Sequence, residues 1–289
     1  MKFMPYFVVL LAAILWGTVG TTQTFLQEGI SPFSVAAVRS AIGGGVILIV
    51  LVFMRKINFV NWSWKWTILA ALLIALFQSS FFTSVRYTGV AIGTVVTIGS
   101  SPIFTGIFDW LLFKRRPTRV WATATILAII GVVLLFVDGG EAVVEPFGVM
   151  LALCAGMLFA LYTISSKKLM EREDTLPAVA MTFTICAIML LPLAARDGFG
   201  WMTVSGNVWP MLFMALAATS LAYILFLAGL QKINASSAVT LSLVEPLTAA
   251  LLSVFLLGEY LSSTSWGGML LVLCGIILLT FGTRQKQIL

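Results

Sequence analysis

The sequence contains no histidine, so it lacks the commonest metal ligand and the usual proton carrier near neutral pH. Charge is scarce: Asp, Glu, Lys and Arg make up 10% of the residues, against roughly 25% in a soluble globular domain. The three cysteines, Cys154, Cys186 and Cys274, all lie inside apolar runs and form no CxxC pair. That spacing excludes a disulfide framework and a metal site, and leaves three small hydrophobes. No GxxxxGK[ST] loop occurs, which argues against an ATP-driven pump. Every lysine sits at the end of an apolar run, which argues against a retinal protein. A membrane enzyme would need a clustered nucleophile and base, paired carboxylates or a metal set, and none is present.

What fills the chain instead is apolar. Of its 289 residues, 60% are hydrophobic, and the mean hydropathy is +1.07. A water-soluble fold of this length has nowhere to put that surface, whereas about 20 such residues cross a bilayer. The apolar runs fall near 4–26, 33–54, 66–85, 91–113, 121–137, 147–166, 177–195, 208–230, 237–257 and 265–282. These ten expected crossings leave no room for a soluble domain of the usual size. The first run has no A-x-A-like site at its end, so it reads as a retained crossing and not as a signal peptide. Turn and charge signals separate the runs, and Pro32 and Pro177 stand where helices begin. Several breaks are short, which makes neighbouring helices antiparallel.

With the N-terminus inside, 14 of the 17 basic residues fall in cytoplasmic segments, two (Arg86 and Arg196) fall outside, and Arg39 lies within a crossing. This positive-inside bias predicts that both termini are cytoplasmic. It also accounts for the net charge of +6 without nucleic acid. Trp62, Trp64 and Trp66 at one interface, and Trp201 and Trp209 at another, read as headgroup anchors.

The halves resemble each other at a shift of 144 residues. Pro102 aligns with Pro246, Gly131 with Gly275, and GVVLLF at 131–136 with GIILLT at 275–280. Five crossings per half is an odd number, so the halves, 1–143 and 144–289, would enter the membrane with opposite polarity. The expected fold is therefore an all-α integral membrane protein of ten transmembrane helices, built as two inverted five-helix repeats.

Several motifs recur in a fixed order. The first half has Trp16-Gly17, then Pro32 with Arg39, then Arg86-Tyr87-Thr88 leading to Ala91 and Pro102. The second half has Leu230-Gln231-Lys232-Ile233-Asn234-Ala235 leading to Pro246, then Leu257-Gly258-Glu259-Tyr260-Leu261 with Gly267 and Gly275. In this order the chain resembles EamA-type members of the drug/metabolite transporter superfamily, over nearly its whole length. The resemblance implies a central cavity and transport of small metabolites, often outward. One departure is clear: where the family often repeats its Gly-Glu pair after the fourth crossing, this chain has Lys114-Arg115. Glu259 accordingly reads as a loop and helix-start residue.

Three charged residues lie within crossings: Arg39, Asp109 and Glu245. Charges in hydrocarbon are costly, and by default they mark function. Asp109, roughly 27 Å along its helix at 1.5 Å per residue, reads as an interfacial charge near Lys114. Arg39 and Glu245 differ by only about 8 Å in depth, so they either pair or bond separately to backbone and water. Pro102 and Pro246 each remove a helical N–H and free the carbonyls of Ile98 and Ser242. Such breaks either flank a wet central site or only improve packing. Among neutral polar residues, Gln78, Ser79, Ser100, Ser101, Tyr162, Ser166 and Tyr223 are the candidates for lining a substrate site. Crossings 5 and 10, poor in polar side chains, should be peripheral.

These residues favour a secondary transporter in the cytoplasmic (inner) membrane, working by alternating access and exporting small polar or zwitterionic metabolites, amino acids first. A strongly anionic substrate would need more intramembrane cations than Arg39. A channel-like facilitator, an exporter of amphipathic drugs or nucleosides, and a membrane scaffold are the alternatives. The expected partners are a small-molecule substrate and the lipid bilayer, with no cofactor, metal or nucleic acid, and the chain is expected to be a monomer. Glu245 either carries a coupling proton or, permanently ionised, orients a substrate amine.

Overall fold

Proline opens several of the helices. It costs nothing there, because the first N–H groups of a helix have no intrahelical partner. Pro32 is the first residue of its helix and Pro146 of another, while Pro5 and Pro177 stand within the first turn of theirs. Side-chain caps add to this. Thr118 accepts from Trp121 N at 3.1 Å, and Glu145 Oε2 accepts from Gly148 N at 2.8 Å.

The computed structural model describes residues 3–57, 59–114, 116–137, 145–258 and 260–282. Lys2, Arg115, Glu259, Arg284, Lys286 and the boundary between 143 and 144 lie outside them. Among the described residues, nine helices are long and apolar enough to span a membrane. They are α1 (Met4–Gln23), α2 (Pro32–Phe53), α3 (Trp64–Phe113), α4 (Arg119–Phe136), α5 (Pro146–Leu169), α6 (Thr175–Asp197), α7 (Ser205–Leu230), α8 (Ala235–Leu257) and α9 (Ser263–Gly282).

The difference from ten lies in α3, where the sequence reads two crossings, 66–85 and 91–113. The 50-residue helical stretch is interrupted at Gly89, whose φ of 78° and ψ of 166° are not helical. A Cβ on Gly93 would stand 3.2 Å from the Cα of Val85, eight residues back. A straight helix would separate those residues by ~12 Å, so the chain turns sharply at Gly89. Only glycine adopts this φ without strain.

Two other helices are irregular. In α7, residues Leu216–Leu221 form a π turn. The hydroxyls of Thr219 and Ser220 donate to carbonyls five residues back, those of Met214 and Ala215, at 2.9 and 3.0 Å. Ser220 also donates to the Gly43 carbonyl at 2.8 Å, which ties α7 to α2. In α8, the regular helix stops at Leu241 and resumes at Val244.

Lipid chains are as apolar as leucine, so helices in a membrane associate through close packing and hydrogen bonds. Here α3 packs on α5, α2 on α6, α4 on α9, and α1 on both α7 and α8. Small residues allow the closest approaches. A Cβ on Gly131 of α4 would lie 2.6 Å from the Gly268 carbonyl oxygen of α9, and one on Gly275 would lie 2.6 Å from that of Ala124. The opposite faces of this pair expose Ile126, Ile130, Val133, Leu270 and Ile277. Of the cysteines, Cys186 is buried, Cys154 half-buried and Cys274 exposed, so the last does not pack in the core. Trp62 is also unlike a headgroup anchor: it is buried, and its indole N–H donates to Thr67 at 2.9 Å.

Candidate substrate site

Three helices meet at a short polar chain. The Arg39 Nη2 on α2 donates to Gln78 Oε1 on α3 at 3.0 Å, and Gln78 Nε2 donates to Cys186 Sγ on α6 at 3.5 Å. Gln78 and Cys186 are buried, while Arg39 remains partly exposed. Gln78 thus holds the guanidinium in place. The Arg39 Nε is buried and has no hydrogen-bond partner.

Glu245 comes from the other half of the chain. It stands in the first turn of the second segment of α8, just past the break. Its side chain is partly exposed. It forms no ion pair with Arg39: among the described residues, the one pair within 4.0 Å joins Lys168 to Glu171, at 3.0 Å. Arg39 and Glu245 nevertheless interact electrostatically, and Tyr223 feels both charges. An arginine held by a neutral amide and a carboxylate left unpaired make two separated poles of opposite sign.

Aromatic rings pack beside these poles. Tyr162 on α5 and Tyr223 on α7 meet edge to face at 6.0 Å. The Tyr223 ring lies 4.8 Å from Trp16 and 4.4 Å from Phe183. Trp16 also contacts Phe159 at 6.1 Å and Phe226 at 5.1 Å. The Tyr162 hydroxyl is buried. Ser166, one turn further along α5, is buried as well.

The remaining candidates bond to their own helix backbone. Ser79 spends its hydroxyl on the Ala75 carbonyl at 3.0 Å. Ser100 and Ser101 both donate to the Thr97 carbonyl, at 3.2 and 2.7 Å. They lie in the packing seam between α3 and α5, with Gly156 pressed against Ser100. The two prolines also differ. Pro102 stands inside an uninterrupted helical segment, whereas Pro246 follows the break in α8. The Ser242 carbonyl is not orphaned, because it accepts from Glu245 N at 2.9 Å.

Asp109, near Lys114 at the end of its helix, does not face solvent. It is buried, and its Oδ2 accepts from Ser236 N at 2.8 Å. That N–H opens α8 and has no partner within its own helix, so a carboxylate there is favoured by both hydrogen bonding and the helix dipole. Asp109 therefore joins the halves structurally. A cavity of about 610 Å³ is lined by residues of 27–31 and 197–204, at the ends of helices, and includes none of the candidates.

Sequence reasoning missed Trp16, Phe159, Phe183, Phe226 and Cys186 as neighbours of the polar chain. Trp16 carried a signal through its motif with Gly17. The phenylalanines carried none, since a ring in an apolar run reads as core.

Among the described residues, nine membrane-length apolar helices define a multi-pass integral membrane protein. The chain belongs to the EamA-like transporter family, whose pattern matches residues 3–137 and again 146–281. It is 42% identical to the uncharacterized transporter YwfM of Bacillus subtilis, over 96% of this chain and 94% of that protein. It is 28% identical to the uncharacterized inner membrane transporter YicL of Salmonella typhimurium, over 96% and 95%. A solved crystal structure shares the fold with a TM-score of 0.85 at 17% identity, covering 98% of each chain.

Proposed function

We propose that this transporter is a secondary carrier that exports small zwitterionic metabolites, amino acids first, by alternating access. The observation that carries the reading is the placement of its two poles: a fixed cation from the first half, Arg39, and an unpaired carboxylate from the second, Glu245, beside one aromatic cluster. A zwitterion offers the complementary carboxylate and ammonium. Few other fixed charges are available for a strongly anionic substrate.

Ten crossings in two inverted five-helix halves follow from splitting α3 at Gly89. The helix contacts support this count. Crossing 2 packs on 7, crossing 5 on 10, and crossing 1 on 8 and 9, while crossing 6 meets crossing 3 through Phe77 and Phe159 and crossing 4 through Thr97 and Ala152. Adding five to each number returns the same pattern, as an inverted repeat requires. The close contact of Gly131 with Gly268 likewise becomes that of Gly275 with Ala124 after a shift of 144. The family pattern matching twice supports the same division. The charge bias supports cytoplasmic termini in a bacterial inner membrane.

The test is flux of labelled amino acids in liposomes holding the purified protein. Saturable uptake, accelerated by unlabelled substrate on the far side, is expected. Linear, non-saturating flux would identify a pore instead.

A further inference from the structure

Hydroxyls in the spans mostly satisfy themselves. Thr83, Thr105, Thr163 and Thr248 each donate to the carbonyl four residues back in their own helix. An indole N–H has no such recourse, because its ring carries it away from the helix backbone. Trp16 is buried at 7% exposure, and its Nε1 has no partner. The Arg39 Nε is also buried without a partner. Ser40 lies beside Cys186, at the far end of the Arg39–Gln78 chain. A buried donor left unsatisfied carries the full cost of its lost hydration.

The type of group decides what is missing. Trp16 Nε1 and Arg39 Nε can only donate, so both require an acceptor. The nearby carboxylate, Glu245, bonds to neither. A ligand carboxylate would satisfy such a donor, and its ammonium would face Glu245. Around Trp16, the walls are the rings of Phe159, Tyr223 and Phe226. Such a wall favours apolar groups and penalises a charged side chain, which would lose its hydration there.

We propose that Trp16 is a substrate-recognition residue: its indole N–H donates to the carboxylate of a bound amino acid, and the rings around it select an uncharged, apolar side chain. This rests on the amino acid carrier reading above and adds a residue and a selectivity to it.

The experiment is exchange of labelled phenylalanine in liposomes holding the full-length protein. Trp16→Phe keeps a ring and removes the donor. It is expected to raise the KM about tenfold, the worth of one hydrogen bond, with the maximal rate held within about twofold. Inhibition by phenethylamine, which has no carboxylate, should be the same in both proteins. In the unaltered protein, phenylalanine and leucine should compete at least about tenfold better than glutamate or lysine. An unchanged KM in Trp16→Phe, or an equal loss for phenethylamine, would overturn the role of the indole. If the variant does not fold, the unaltered protein decides: phenethylamine inhibiting as well as phenylalanine overturns the carboxylate contact. Glutamate or lysine competing equally overturns the side-chain selection. No saturable exchange of any amino acid sinks the carrier reading, and this inference with it.

Discussion

The second segment of α3 and helix α8 occupy matching places in the chain, yet only one is broken. Pro102 and Pro246 stand 144 residues apart. Each helix also ends on a left-handed residue, Lys114 or Gly258, whose N–H returns to a carbonyl five residues back, that of Asp109 or Ser253. Between these shared features the two differ. Around Pro102 the helix runs on, with Ser101 bonded to its own backbone and clamped by α5. Before Pro246 the helix stops at Leu241, and the residue matching Ser101 is Glu245. A proline alone therefore does not set the break. One helix serves as scaffold and the other presents a free carboxylate.

The poles should give the largest effects. Arg39→Ala removes the cation and strands the buried amide of Gln78, and losing a half-buried, hydrogen-bonded charge costs about 2 kcal/mol or more. Substrate exchange in liposomes should fall at least about thirtyfold. Glu245→Gln keeps size and most hydrogen bonding but removes charge and titration. If Glu245 carries the coupling proton, the variant should exchange substrate yet lose accumulation driven by a pH gradient. A well-folded variant that still accumulates would leave Glu245 an orienting role only. Ser101→Ala, at the matching place, should keep exchange within about twofold.

Next in size are the glycines that seat these helices. A Cβ on Gly17 of α1 would stand 2.6 Å from both the Glu245 carbonyl oxygen and Thr248 Cβ, neither of which can yield easily. A Cβ on Gly156 of α5 would meet the Ser100 hydroxyl, a side-chain atom that can rotate away, and then the Thr97 carbonyl oxygen at 2.8 Å, a looser backbone contact than the one at Gly17. Overpacking of this kind costs about 1–3 kcal/mol. Gly17→Ala should therefore lower thermal stability in detergent by more than Gly156→Ala. The reverse order would mean that α8 yields to α1 more readily than α3 yields to α5.

How far the sequence reveals this contrast depends on the kind of information. Membrane-length helices are legible because a bilayer demands long apolar runs, and the turn at Gly89 is foreshadowed by Arg86-Tyr87-Thr88-Gly89 between two such runs. The unequal prolines are not legible, because a local pattern cannot show that α5 clamps one helix while the other faces Gly17. Nor is the buried state of Asp109: depth along a helix gave its height, but its partner, Ser236, is 127 residues away. Trp16, Phe159 and Tyr223 are neighbours for the same reason, through lateral packing of helices remote in sequence. Gln78 was readable as a large polar residue at mid-helix, whereas its contact with Arg39 required the fold.

The smallest effect concerns the shared left-handed ends. Gly258 has φ 71° and Lys114 has φ 57°. For a residue with a Cβ, that conformation costs roughly 1–2 kcal/mol, and glycine is spared it. Two effects oppose any gain from Lys114→Gly. Glycine loses about 0.5–1 kcal/mol more on folding through its freer unfolded chain. A cation at a helix C-terminus is also favoured by about 0.3–1 kcal/mol, and Lys114 is exposed at such an end. The terms nearly cancel, so Lys114→Gly should move stability by less than about 0.5 kcal/mol. Gly258→Ala gains no charge to offset its strain and should lose about 0.5–1 kcal/mol net of the chain-entropy gain. Thermal unfolding of both variants in one detergent compares them directly. A clear loss in Lys114→Gly would show that the lysine side chain does more than complement the dipole. A clear gain would show that strain dominates, and that the first half carries a cost the second avoids.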